Sequence, residues 1–216
     1  MKNKYKINII NNALLTNSRI CLPEVTDDRI IDASIRLEKL GFNVINYKKI
    51  EQKMSTYREL VKEKKFSNHW TDEMINKYVE SPLNCSILAL DNNDVDCVIA
   101  GAIHKTSDVI RSAIRIIGIK KNNKWISSVF VMLSPCNKHF YTFSDCAVIP
   151  EPTSDQLCYI AYESSKIHEL ISKNQAKVAF LSFSTNGSAN HYKVKKIQDA
   201  VHLFSSKFKS INHEGE

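Results

Sequence analysis

The amino-acid sequence predicts an α/β fold built on a parallel sheet, and three observations carry this prediction. At 216 residues the chain has room for one large domain or two small ones. Short apolar runs alternate along it with longer segments in which apolar residues recur every three or four positions. The first predicted strand, helix and strand follow one another within about thirty residues, which is typical of a βαβ unit.

The opening unit is a strand, a helix and a second strand. Residues 19–23 indicate a short buried strand that ends at Pro23, because proline has no N–H to donate to a neighbouring strand. Thr26 begins a helix with acidic residues in its first turn, and Gly41 ends it. Residues 42–47 alternate as the second strand. The helix face that we expect to be buried consists of Ile30, Ile31, Ser34, Leu37 and Leu40.

Further helices are predicted from their periodicity and their caps. Residues 55–90 have a helical pattern, with Ser55 and Thr71 as N-caps. A later helix follows two prolines and is predicted to be capped by Thr153 or Ser154. These helices would cover a sheet on both faces and give a three-layer fold.

The predicted sheet is mixed, and the chain is predicted to form two domains. Residues 124–134 and 139–148 have the pattern of two strands, and the segment between them is too short for a crossover, so they must pair antiparallel. The proline-rich joint that follows marks a domain boundary. We therefore expect a first α/β domain over residues 1–149 and the start of a second over residues 150–216.

Composition narrows the class of protein. The chain is 43% hydrophobic and 25% charged and has no apolar run that could span a membrane and no signal-peptide core, so we expect a cytoplasmic protein without a membrane partner. Its six cysteines lie far apart without a C-x-x-C pair, which favours reduced core thiols over disulfides or a metal site. The net charge of +7 comes from scattered lysines, and no basic-aromatic motif indicates nucleic-acid binding.

A strand-like run that ends in a cluster of hydroxyls is the strongest functional signal. It covers residues 176–188 and includes Ser182, Ser184 and Thr185, which with free backbone N–H groups are suited to hold an anion. The first turn of the next helix is expected beside Ser188. A simple helix cap accounts for the same local pattern. The apolar face of that helix is expected to consist of Val194, Ile197, Val201, Phe204 and Phe208.

A second strand–helix pair places an arginine near a helix N-terminus. Residues 95–99 are predicted to be a strand, and a helix opens at Asp108 after a polar loop. Arg111 lies one turn into that helix, against the dipole preference, so it either binds an anion or pairs with a nearby acid. Ser127 and Ser128 interrupt an apolar run and face either a cleft or solvent.

Several motifs in a fixed order resemble those of the phosphate acetyltransferase (phosphotransacetylase) family, from about Arg19 to the end of the chain. No one motif is as specific as a metal-binding signature, but the set in this order is strong. The motifs are Leu22-Pro23-Glu24, Ala100-Gly101-Ala102-Ile103-His104, Arg111, Ser127-Ser128-Val129-Phe130, Asp145-Cys146-Ala147 and Leu181-Ser182-Phe183-Ser184-Thr185.

The resemblance implies an enzyme of acetate metabolism that exchanges an acetyl group between coenzyme A and phosphate. It also implies a two-domain fold like that of isocitrate and isopropylmalate dehydrogenases, an active site in the cleft between the domains, and a homodimer. The substrates are then acetyl coenzyme A and phosphate, the products are acetyl phosphate and coenzyme A, and no separate cofactor or metal is expected. His104 is either an acid–base group or structural. The substrate-binding residues that the resemblance implies are Ser182, Ser184, Thr185, Ser127, Ser128 and Arg111.

The sequence departs from the family at its end. In the family the chain continues beyond the Gly-Glu that Gly215-Glu216 resembles, and the last third completes the first domain. In the family, that last third also carries the Ser-Arg pair and the aspartate to which catalysis is credited. We therefore expect a truncated chain, with its catalytic residues unknown and with little turnover by itself. The alternative is a non-catalytic acyl-phosphate or coenzyme A binding module, like the C-terminal domain of some malic enzymes. The short segment before Arg19 leaves no room for a malic enzyme domain, so we prefer the acetyltransferase.

Overall fold

The computed structural model describes residues 4–121, 124–136, 139–184 and 187–215. A short 3-10 turn at Lys65–Ser67 supplements the regular elements. The helices and strands are, in order, α1 (Lys4–Leu15), β1 (Arg19–Cys21), α2 (Asp28–Lys39), β2 (Asn43–Val44), α3 (Tyr47–Glu51), α4 (Met54–Glu63), α5 (Asp72–Glu80), α6 (Pro82–Asp91), β3 (Cys97–Val98), α7 (Thr106–Ile116), β4 (Phe130–Leu133), β5 (Phe140–Phe143), α8 (Ser154–Ser172), β6 (Lys177–Phe180), α9 (Tyr192–Lys207) and β7 (Asn212–Gly215).

The contacts within the chain group its residues into two compact units. The first unit comprises residues 10–120, and the second comprises residues 1–9 and 121–216. The boundary predicted at residue 150 lies inside the second unit, and the division of the protein into domains at that point stays a prediction.

A three-stranded parallel sheet with the order β2-β1-β3 forms the centre of the first unit. Ile20 pairs with Val44 on one side and with Cys97 on the other. The predicted βαβ unit and its parallel pairing are therefore confirmed. The carboxyl ends of β1 and β3 lie side by side at one edge of this sheet, because the strands are neighbours and run in the same direction.

Helix α2 has the predicted end but not the predicted start or burial. Gly41 has a φ of +92°. Its N–H bonds the carbonyl of Glu38, and the N–H of the next residue bonds that of Leu37, a Schellman end that favours glycine. The N-cap is Asp27, whose carboxylate accepts the N–H of Arg29, and not Thr26. No residue of α2 is buried, because the helix packs against the short edge strand β2, which covers little of its apolar face.

The core of the first unit lies among helices α3 to α6. The side chains of Tyr57, Val61, Val79 and Leu88 are fully buried there. Thr71 caps α5 as predicted. The predicted cap at Ser55 is wrong, because α4 already begins at Met54 and Lys53 precedes it without a side-chain cap.

The second unit contains two small sheets and two long helices. Strands β4 and β5 pair antiparallel as predicted, whereas β6 pairs in parallel with β7, a strand that the sequence did not predict. Thr153 caps α8 through a reciprocal capping box with Gln156. Helices α8 and α9 pack together around Phe180 and Phe204.

The strands of the described residues do not join into the single mixed sheet that the sequence predicts. Their hydrogen bonds form three separate sheets, two of them parallel and one antiparallel. The α/β class itself is confirmed. None of the helices in the described part of the chain is long and apolar enough to cross a membrane.

Candidate active site

The polar loop that follows β6 is built by its own hydroxyls. Ser182 Oγ accepts the N–H of Ser184 at 2.9 Å, and Ser184 Oγ accepts the N–H of Ala189 at 3.2 Å. Ser184 Oγ also lies 3.4 Å from Ser188 Oγ. Such side-chain to backbone bonds hold a polar turn in place without a helix. Thr185, the third predicted hydroxyl, lies outside the described residues.

The helix after this loop begins later than its pattern predicts. Helix α9 starts at Tyr192, so its first turn does not adjoin Ser188. His191 is the N-cap, and its Nδ1 accepts the N–H of Lys193 at 3.2 Å. The predicted combination of hydroxyls and helix N-terminus at one point is therefore wrong, and the hydroxyl loop stands by itself as the candidate anion site.

The hydroxyl of Ser128 makes all of its hydrogen bonds within the protein. This hydroxyl donates to the carboxylate of Asp145 and accepts the N–H groups of Cys146 and Ala147 at 3.0 and 2.8 Å. A hydroxyl has one proton and two lone pairs, so these three bonds fill its capacity. The predicted contact of Ser128 with substrate stays a prediction.

Asp145 organises the turn after β5 around Ser128. Its carboxylate accepts the N–H of Ala147 at 3.0 Å, of Val148 at 3.2 Å and of Ile149 at 2.9 Å. Burial alone would raise the pKa of Asp145, but the bonds from Ser128 and these N–H groups outweigh it and lower that pKa below its ordinary value. The ionised carboxylate thus fixes the geometry of Ser128.

Ser127 lines an open cleft in the second unit. The rings of Trp125 and Tyr159 form part of its wall, with their centroids 5.8 Å apart. Among the described residues, the hydroxyl of Ser127 makes no hydrogen bond, so it is available to a ligand. The other lining residues are Lys124, Trp125, Gln156, Tyr159, Ile160 and Glu163.

In the first unit, a buried carboxylate organises the loop that follows β3. The side chain of Glu24 is fully buried and lies just beyond the carboxyl end of β1. It accepts the backbone N–H groups of Gly101 (3.1 Å to Oε2), Ala102 (2.8 Å), Ile103 (2.9 Å) and His104 (2.9 Å). Successive N–H groups that converge in this way form a concave anion-binding turn, and here the anion is part of the chain.

Arg111 lies on α7 in the first unit and has an acidic neighbour. Its guanidinium donates to the carboxylate of Asp108 at 2.9 Å, one turn earlier on the helix. The Arg111 side chain is 56% exposed, so the pair is a surface ion pair of small energetic weight. Such an arginine can change partner at low cost when a phosphate binds.

The predicted site residues are distributed over both units. Ser127, Ser128, Ser182 and Ser184 belong to the second unit, and Arg111 belongs to the first. Sequence reasoning overlooked the two carboxylates that hold the loops, those of Glu24 and Asp145. Both stand in the motifs quoted above, next to strands, and an acidic residue beside a buried strand is the signal that could have found them.

Comparisons with known proteins agree with the resemblance. A family model described as "Phosphate acetyl/butaryl transferase" matches residues 32–216. The phosphate acetyltransferase of Clostridium acetobutylicum is 37% identical over 155 residues, which cover 70% of this chain and 46% of that protein. The phosphate acetyltransferase of Acetivibrio thermocellus is 28% identical over 235 residues, with 96% of this chain and 71% of that protein covered.

The fold also matches a solved structure. A phosphotransacetylase from Streptococcus pyogenes superposes with a TM-score of 0.82 at 24% identity and covers all of this chain, which spans 73% of that protein. At this identity the match supports the fold. Because the family match extends over most of the sequence, the chain belongs to the phosphate acetyl/butaryl transferase family, a family of transferases.

Proposed function

We propose that the protein is a phosphate acetyltransferase, which moves an acetyl group between coenzyme A and inorganic phosphate. The observation that carries this proposal is the family match over residues 32–216, together with relatives of that name. This chain spans 46% of the Clostridium relative and 71% of the Acetivibrio relative.

In the reaction, the thiol sulfur of coenzyme A attacks the acetyl carbon of acetyl phosphate. A C–S bond forms, the C–O bond to the phosphoryl group breaks, and the thiol proton is lost as phosphate leaves. The protein has to bind the phosphoryl oxygens with N–H and O–H donors and to stabilise the charge on the leaving phosphate.

We assign phosphate binding to the loop after β6, with Ser182, Ser184 and Thr185 as its donors. Support comes from the clustering of hydroxyls directly after a parallel strand, where ligands bind in open α/β sheets. Ser127 contributes a further hydroxyl, and Ser128 supports the same segment through Asp145.

Arg111 completes the proposed substrate-binding residues. Its exposed guanidinium can exchange Asp108 for a phosphoryl group and bind it with two parallel N–H bonds. The two-domain dehydrogenase-like architecture, the homodimer and the cytoplasmic location are part of the same proposal, as properties that the family resemblance implies.

The proposal is tested by following thioester formation from acetyl phosphate and coenzyme A. The protein is expected to form acetyl coenzyme A only when both substrates are present, and to form acetyl phosphate from acetyl coenzyme A and phosphate in the reverse direction. Saturable coenzyme A binding without thioester formation would indicate a non-catalytic binding module instead of an enzyme. The absence of both coenzyme A binding and turnover would overturn the proposal.

The phosphate site is tested separately by calorimetric titration of acetyl phosphate and phosphate. A few hydroxyl and N–H contacts support affinity of about millimolar strength. Ser184→Ala is expected to weaken binding several-fold. The matched control is Ser206→Ala, whose hydroxyl only bonds the carbonyl of Leu203 on the exposed side of α9. Equal effects of the two variants would show that the loop only supports the chain and does not bind phosphate.

A further inference from the structure

Ser205 on α9 and His213 on β7 form a hydroxyl–imidazole pair, and neither is among the substrate-binding residues proposed above. Ser205 Oγ lies 2.6 Å from Nε2 of His213. Nδ1 of the same ring lies 2.8 Å from the carbonyl oxygen of Ile211. The ring of Phe204 packs edge-on against the imidazole, with the ring centroids 5.1 Å apart. These three contacts fix the orientation of the imidazole.

The carbonyl of Ile211 decides which ring nitrogen of His213 carries the proton. A carbonyl oxygen can only accept a hydrogen bond, so Nδ1 must donate to it. In the neutral ring the lone pair is then on Nε2, and the hydroxyl of Ser205 donates its proton to that nitrogen. The imidazole is therefore placed as a base toward the serine.

This arrangement is the one by which enzymes activate a serine as a nucleophile. In unrelated folds, the hydroxyl lies within about 2.6–3.2 Å of a base, and a third group orients the base. In this chain the third group is the backbone carbonyl of Ile211, at the place that a carboxylate takes in many enzymes. A base that removes the proton as the oxygen attacks accelerates such a step about 10²–10⁴-fold.

Other hydroxyls of the second unit lack this combination. The adjacent Ser206 donates to the carbonyl of Leu203, and a backbone carbonyl is not a base that can take up its proton. The hydroxyl of Thr142 lies 3.1 Å from Nδ1 of His168. Among the residues that the structure describes, however, no second hydrogen bond orients the ring of His168. Ser205 is thus distinguished by an oriented base.

A small reagent can reach the pair from solution. Ser205 and His213 are half-buried where α9 packs against β7. Their chain neighbours Ser206 on the helix and Asn212 and Glu214 on the strand are exposed. The pair therefore lies at the surface of the second unit, where a small acyl donor needs no enclosed pocket to approach it.

We propose that Ser205 is an acyl-accepting nucleophile, with His213 as its base, and that it reacts with small acyl phosphates and activated esters. Ser205 Oγ attacks the acyl carbon, so that a new C–O bond forms and the bond from that carbon to the phosphate oxygen breaks. The hydroxyl proton passes to Nε2 of His213 and from there to the departing phosphate. The product is an acyl ester of Ser205. The inference does not rest on the proposed function, because the acyl donor is supplied from solution and the acyl group stays on the protein.

The nucleophile is tested by exposing the protein to acetyl phosphate and, separately, to p-nitrophenyl acetate. Peptide mass spectrometry locates the acetyl groups, and hydroxylamine distinguishes serine esters, which it removes, from acetylated lysines, which it leaves. Ser205 is expected to be acetylated about 100-fold faster than Ser206, the lower end of what a general base contributes. Ser206 is the matched reference, because it is adjacent and more exposed but has no base. Acetylation of Ser205 no faster than that of Ser206 overturns the proposal.

The base is tested with His213→Asn. The amide nitrogen of asparagine can still donate to the carbonyl of Ile211, but no acceptor remains at the position of Nε2. Acetylation of Ser205 is expected to fall to the rate of Ser206, with the melting temperature as the check on folding. The control is His202→Asn, which changes an exposed histidine on the same helix and should leave the rate unchanged. A wild-type rate in folded His213→Asn overturns the role of the base. The comparison of Ser205 with Ser206 is made in wild type, so it decides the outcome even if His213→Asn does not fold.

Discussion

Glu24 shows how one ionised side chain can order a loop that has no regular structure. Its carboxylate is buried and still ionised, because backbone N–H groups and an imidazole replace the water that it loses. Its pKa falls from 4.5 in a free carboxyl to about 2. A carboxyl whose pKa is lower in the folded chain contributes stability above its unfolded pKa, and this contribution is lost as the pH falls toward the folded value.

Glu24→Gln is expected to destabilise the chain more at about pH 7 than at about pH 3. Between these values the unfolded wild type takes up a proton at its glutamate while the folded form does not, so wild type loses stability that the neutral variant never had. Urea unfolding at both pH values measures the difference. Asp32→Asn, which removes an exposed ion pair on α2, serves as control and should change stability by less than about 0.5 kcal/mol. A destabilisation by Glu24→Gln that does not depend on pH would contradict the assignment.

Ser127 and Ser128 are adjacent, but only the hydroxyl of Ser128 is hydrogen-bonded within the described structure, so the two can be compared directly. Ser128→Ala leaves Asp145 and the N–H groups of Cys146 and Ala147 with fewer partners, and about 1–3 kcal/mol of stability should be lost. Ser127→Ala removes a hydroxyl without a bond in the described structure and should change stability by less than about 0.5 kcal/mol. Chemical denaturation of both variants decides the matter, and equal losses would mean that the hydroxyl of Ser127 also has a structural partner.

At the scale of elements, the ends of a helix are specified by single residues, whereas its burial is not. In α2 the carboxylate of Asp27 accepts the N–H of Arg29, and Gly41 adopts the positive φ that ends the helix. Both depend on local geometry. The exposure of Ile31 and Leu40, at 44% and 53%, depends instead on what packs against the helix.

Asp27→Ala is expected to destabilise the chain by about 1 kcal/mol, because it removes the N-cap of α2. Thr26→Ala is the matched control, since Thr26 has the residue type of a cap but no capping contact. It should leave stability unchanged within about 0.5 kcal/mol. Thermal unfolding of the pair measures both effects, and a larger loss for Thr26→Ala would move the start of the helix to the position that the sequence suggested.

At the scale of the whole molecule, contacts between distant residues decide which segments become strands. Residues 212–215 have no strand pattern of their own, yet they pair in register with β6. Gly215 permits this pairing, because a Cβ at that position would lie 2.6 Å from Cβ of Phe180 and 2.9 Å from its carbonyl oxygen. The backbone of Phe180 cannot move aside for an added Cβ as a flexible side chain could.

Gly215→Ala is therefore expected to destabilise the second unit by about 1–3 kcal/mol, the usual cost of overpacking. Glu214→Ala, on the neighbouring exposed position of β7, should have little effect, since its own partner Ala179 offers it no side-chain bond. Hydrogen exchange at the amides of β6 and β7 locates the loss. Unchanged protection in Gly215→Ala would show that the close approach to Phe180 is not maintained in solution.

The residue types of the candidate site could be predicted from the sequence, but their hydrogen bonds could not. The hydroxyls of Ser182 and Ser184 stand out because they follow an apolar strand. The same reasoning placed a helix N-terminus beside Ser188, which the structure moves to Tyr192. It also assigned Ser128 to substrate binding, although the hydroxyl of Ser128 donates to the carboxylate of Asp145. A hydroxyl looks the same in a sequence whether its partner is substrate or protein.

The sequence by itself determined the α/β class, the parallel pairing of β1 with β2, the antiparallel pair β4–β5 and the family. These follow from apolar periodicity, from connection lengths and from motifs, which are all local along the chain. Only the tertiary structure decided that the strands form three separate sheets, that β7 exists, and that Glu24 binds the loop at residues 101–104. These depend on hydrogen bonds between residues far apart in sequence, and no local pattern encodes which partner a buried N–H or carboxylate will find.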